Sequence, residues 1–113
     1  MDDRPIDIGP GMEMLIDMLD SAEGDVAISF TLPNGWGMSI IRTQPTLVEL
    51  PGIEPQYAGG SYGARAGLFE IALTRMGEVC FDGPMLNEPT GFHTSVDCAR
   101  IMRQIFELTE VPR

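Results

Sequence analysis

Val26, Ile28, Phe30 and Leu32 alternate with Ala27, Ser29 and Thr31, and the run stops at Pro33-Asn34-Gly35-Trp36. Alternation at period two fits a half-buried strand and does not fit a helix. Asn-Gly is the pair that supplies two positive φ angles to a tight hairpin turn. The return strand is then Trp36-Gly37-Met38-Ser39-Ile40-Ile41-Arg42, with Gly37 the place where a bulge would shift the register. A first hairpin is therefore predicted over residues 26–43. A second is predicted over 67–82, where Leu68-Phe69-Glu70-Ile71-Ala72-Leu73-Thr74 runs out, Met76-Gly77 turns and Glu78-Val79-Cys80-Phe81-Asp82 returns.

Both ends of the chain change period. Met12, Leu15, Ile16 and Leu19 recur at helical spacing after Gly9-Pro10, and Gly24 follows as a C-cap, which predicts an N-terminal helix within residues 1–25. Cys98, Ile101, Met102, Ile105 and Leu108 form a second apolar stripe, within residues 93–110. Thr94 with Asp97 has the spacing of a capping box, and Arg103 with Glu107 that of an i, i+4 pair. Val111-Pro112-Arg113 reads as a frayed end. The order helix, hairpin, long loop, hairpin, helix predicts one α+β domain over 1–113, with an antiparallel sheet of about four strands. A chain of this size buries roughly 65% of its unfolded surface, enough for one core.

Charge is the most distinctive feature of the composition. Seventeen acidic residues against seven basic ones give a net charge of −10. Every basic residue is arginine, as codon usage in a GC-rich genome would give. Residues 1–25 hold eight of the acids and one arginine, a net of −7. On the predicted helix, Glu13, Asp17 and Asp20 share one stripe, with Glu23 beyond them. The stripe is either an ordinary solvated face or one kept acidic for a partner. This balance disfavours direct binding to a nucleic-acid backbone and favours the basic surface of a protein. The chain has no apolar run long enough to cross a membrane and no secretory signal pattern at Met1-Asp2-Asp3-Arg4, so a cytoplasmic location is expected.

Candidate chemistry is sparse. Cys80 and Cys98 lack metal or disulfide spacing and read as buried small hydrophobes, and no metal or cofactor is expected. His93 is the single histidine and stands beside a helix cap, where an exposed polar residue is expected. Gly59-Gly60-Ser61-Tyr62-Gly63 lacks the lysine of a phosphate loop and reads as turn chemistry. Residues 44–66 are rich in proline and glycine and predict a long loop, in which Thr46-Leu47-Val48-Glu49-Leu50 has the makings of a short edge strand. Loops of that length are usually functional or mobile, so this one is a second candidate working surface, with its aromatic residues Tyr57 and Tyr62. Trp36 is either a core anchor or an interface aromatic.

The segments Asn34-Gly35-Trp36-Gly37-Met38-Ser39-Ile40-Ile41-Arg42, Ser61-Tyr62-Gly63, Gly67-Leu68-Phe69-Glu70-Ile71-Ala72-Leu73, Phe81-Asp82-Gly83-Pro84-Met85 and Gly91-Phe92 come in an order that resembles a group of small uncharacterised proteins of tailed bacteriophages. The resemblance covers residues 34–106 and leaves out residues 1–25 and the stretch from Thr46 to Tyr57. It implies a phage origin and action in the host cytoplasm or the virion, and it carries no active site. Three function classes follow in order of expectation. The first is a non-enzymatic binding protein, such as an anti-CRISPR-like or nucleic-acid-mimicking inhibitor of a host or defence protein. The others are a virion or assembly component and a small enzyme using His93 and the glycine-rich loop. A homodimer is compatible with each.

Overall fold

The structure, a computed structural model, describes residues 10–111. The acids Asp2, Asp3 and Asp7 of the N-terminal segment lie outside the described residues. Helix α1 (Pro10–Ser21) is followed by strands β1 (Val26–Thr31) and β2 (Trp36–Arg42), then β3 (Thr46–Leu50) and β4 (Ile53–Ala58). A single 3₁₀ turn (Ala64–Ala66) leads to β5 (Phe69–Arg75), β6 (Glu78–Val79), β7 (Thr90–His93) and helix α2 (Ser95–Phe106). The expected α+β architecture, antiparallel hairpins between two terminal helices, is present.

The main sheet runs β1-β2-β5, and the far side of β5 is shared by two short strands. Strand β6 pairs with its last residues through Thr74 and Arg75, and β7 pairs with its first half through Phe69 and Ile71. Side-chain alternation puts Trp36, Met38, Ile40 and Arg42 on one face beside Phe69, Ile71 and Leu73, with Met38 opposite Leu73 and Ile40 opposite Ile71. The helices cover that face with Met12, Leu15, Ile16 and Leu19 from α1 and with Cys98, Ala99 and Ile105 from α2. One apolar core between one sheet face and a helix pair is what antiparallel alternation demands.

The first hairpin differs from the expected turn. Leu32 accepts the N–H of Gly35 and donates its own to Trp36, so the loop has three residues, Pro33-Asn34-Gly35. Gly35 alone takes a positive φ, 87°, and Asn34 does not. Such a loop closes with one left-handed residue at a bulge, which glycine adopts at least cost. Asn34 does other work. Its Nδ2 donates to the carbonyls of Ile105, Phe106 and Leu108, at and just beyond the end of α2. Its Oδ1 accepts from the Trp36 N–H, and its carbonyl accepts from Val111. Val111, the first residue of the expected frayed end, is buried and held on this turn, while Pro112 and Arg113 lie outside the described residues. Gly37 sits in regular register with Thr31 and Thr74 and forms no bulge. A Cβ there would lie 2.0 Å from the Phe30 carbonyl oxygen, so no side chain fits.

Hairpin 2 turns at Met76-Gly77 as expected, both at positive φ. Its return strand is two residues long rather than five, because the chain leaves the sheet after the Cys80 N–H bonds Leu73. The capping box of α2 has both reciprocal bonds between Thr94 and Asp97, and Arg103 Nε meets Glu107 at 3.0 Å. The loop expected over residues 44–66 is replaced in large part by an additional hairpin, β3–β4, turned at Pro51-Gly52.

Candidate functional site

Two surfaces carry the residues singled out by sequence. The first is the outer face of α1. This helix lies antiparallel on α2: Ser95 Oγ at the start of α2 donates to Asp20 Oδ1, while Met12 shares a groove with Met102 and Phe106 at the other end. Asp20 thereby joins the two helices while staying exposed with the rest of the acidic stripe. Glu13, Asp17 and Glu23 are exposed, as are Met14 at 67% and Met18 at 48%. The outward face is thus carboxylate and thioether together.

The last turn of α1 has no basic residue of its own, so its C-terminal carbonyls and dipole call for a cation from elsewhere. Arg42 supplies it from β2. Its guanidinium is buried and donates to the carbonyls of Ala22, Gly24 and Gly67, with Cζ 4.9 Å above the Phe69 ring. Asp25 accepts the N–H of Gln44 and fixes the chain where it enters β3.

The second surface is the β3–β4 arm. Its two strands pair with each other and with no strand of the main sheet, and all eleven strand residues are exposed. Leu47, Val48, Leu50, Ile53 and Tyr57 are each between 38% and 56% exposed. At the base of the arm Tyr57 and Tyr62 come together on a cavity of about 370 Å³, with Arg65, Pro45 and Phe92. Arg65 Cζ stands 4.0 Å above the Tyr57 ring. Phe92 holds φ 63°, a strained value for an aromatic residue, while its N–H reaches the Tyr62 carbonyl. Sequence reading placed both tyrosines in this region but missed Arg65, Phe92 and the apolar arm residues. The signal was the short strand-like run Thr46–Leu50 leading into Pro51-Gly52.

Trp36 belongs to neither surface. It is 5% exposed, packs in the core and donates Nε1–H to the Thr109 carbonyl at 2.8 Å, which settles its role as an anchor and not an interface aromatic. His93 is half-buried on β7, with Nε2 2.9 Å from Thr90 Oγ1 and Nδ1 3.9 Å from Asp97, and so is not the exposed residue expected. Cys80 and Cys98 are buried, as expected. Burial, with Asp97 nearby, pushes the Cys98 thiol up to about 12, so it stays protonated at neutral pH. Cys80 donates to Asp82, and this bond together with Arg75 at 3.1 Å holds the Asp82 carboxyl below its usual range.

Among the described residues no helix is long and apolar enough to cross a membrane. Comparison with family models, curated proteins and solved structures found no significant match.

Proposed function

We propose that this chain is a non-enzymatic, phage-type accessory protein that acts in the host cytoplasm by binding a basic surface of a host or defence protein. The observation that carries the reading is the outer face of α1, where Glu13 and Asp17 are exposed together with Met14 and Met18, and exposed Glu23 follows in the turn beyond. Carboxylates draw a basic partner in and fix its orientation, and methionine adapts to irregular apolar contacts once it arrives. A face serving only solvation has no need of two exposed methionines at i, i+4. The phage resemblance supports the setting, and inhibition of the bound protein is the activity the reading implies.

The test is affinity capture from a bacterial host extract, followed by titration of the identified partner. Affinity should fall at least tenfold in the triple variant Glu13→Lys, Asp17→Lys, Glu23→Lys, and should weaken with salt. Unchanged binding in that variant would sink the reading. The exposed arm favours a second reading, a virion or assembly component. Mass spectrometry of purified particles decides it, since a protein absent from them is not a structural part.

A further inference from the structure

We infer that β3 is the contact between two copies of this chain, pairing antiparallel with β3 of the second copy across a two-fold axis. The result is a four-stranded sheet in the order β4-β3-β3-β4. The case begins with the edges of the arm. An open edge is a row of unpaired N–H and C=O groups, and proteins that keep an edge single blunt it with proline, a bulge or charge. Strand β4 carries two of these devices. Between the pairs Val48–Gln56 and Leu50–Ile53, β4 has two residues against one on β3, so the bulge is on β4, and one of its extra residues is Pro55. Strand β3, Thr-Leu-Val-Glu-Leu, has neither device and a single charge. The main sheet has its own open edge at β1, but the larger side chains there, Val26, Ile28 and Phe30, are given to the core.

Charge selects the occupant. Two copies of a chain at −10 repel, and α1 with its following turn (10–25) contributes five acids and no base. Residues 43–67 contain Glu49, Glu54 and Arg65, a net of −1, so the arm is the apolar surface on which like copies meet at least cost. Strand β3 is also self-complementary under a two-fold axis, as an isologous interface requires. Full overlap of the five-residue strand puts the axis at Val48. Val48 then faces its own copy, Thr46 faces Leu50, and Leu47 faces Glu49, so the two Glu49 carboxylates are not opposed. This interface is separate from the face of α1, and its failure would leave the reading above standing.

The experiment uses the full chain. Sedimentation over micromolar concentrations should give twice the 12.4 kDa chain mass. Directly opposed antiparallel residues stand about 4.5–5.5 Å apart at Cα, within disulfide range. Val48→Cys should therefore become a covalent dimer on mild oxidation, the native thiols being buried. Gln56→Cys, on the outer strand, should not. Val48→Pro should halve the mass while leaving thermal unfolding of the main sheet in place. A monomer at every concentration overturns the inference and leaves β3 as an acceptor edge for a strand of a different protein. A dimer that survives Val48→Pro, or that cross-links as readily through Gln56→Cys, also overturns it.

Discussion

Asn34 shows how much one side chain can hold together. Its amide ties two carbonyls of α2 and one just beyond it, while its oxygen orders the turn that begins β2. Asn34→Ala should cost about 1–3 kcal/mol in urea unfolding, since the Leu108 carbonyl and the Trp36 N–H, both part-buried, lose this partner. Asn34→Asp keeps the bond to the Trp36 N–H but loses the donor, so it should be destabilised as well. Cys98 gives a pH dependence of known sign. The thiol stays neutral in the fold up to about 12, whereas an unperturbed thiol ionises near 9.0. The unfolded chain therefore releases that proton first. The contribution is full below pH 9 and is lost as pH rises toward 12. Unfolding midpoints measured from neutral to alkaline pH should fall more steeply for the native chain than for Cys98→Ala.

The elements divide into a body and an arm with different energetics. Ile40 is fully buried at the centre of the sheet, and Ile40→Ala should cost about 2–5 kcal/mol. Ile53 on the arm is 56% exposed, and Ile53→Ser should change the stability of the body by less than about 0.5 kcal/mol. Chemical denaturation of the two variants checks the pair. The same division explains what could be read from sequence. Both hairpins of the main sheet and both helices were legible because each buries a periodic face against one core. The arm buries no face, so the short strand-like run Thr46–Leu50 was its only trace. Strand β7 was not legible at all: it has four residues, contains Gly91 and bends at Phe92, and only its register on β5 makes it a strand. Of the candidate sites, the pairing of Tyr57 with Tyr62 was in reach as one region. The capture of Asp20 by Ser95 was not, because those residues are 75 positions apart and meet only through helix packing.

At the scale of the whole molecule the excess of acid is a standing cost. A net charge of −10 on a chain this small repels itself in the compact state. Raising sodium chloride from about 10 mM to about 150 mM, which shortens the screening length from roughly 30 Å to roughly 8 Å, should raise the melting temperature. Scanning calorimetry across that series is the check, and a fall would mean that ion pairs such as Arg103–Glu107 outweigh the repulsion. The clasp between the first turn and the end of α2 also sets a schedule for synthesis. Trp36 leaves the ribosome 73 residues before Thr109, the acceptor of its indole N–H. At about 5–20 residues per second that is a delay of roughly 4–15 s. Until β5 has been made the first hairpin has only α1 beside it, and a lone hairpin is marginal in water; α2 is missing for nearly the whole interval. The nascent chain therefore waits with the part of the core that α2 covers still open, and that part closes only as the last residues emerge.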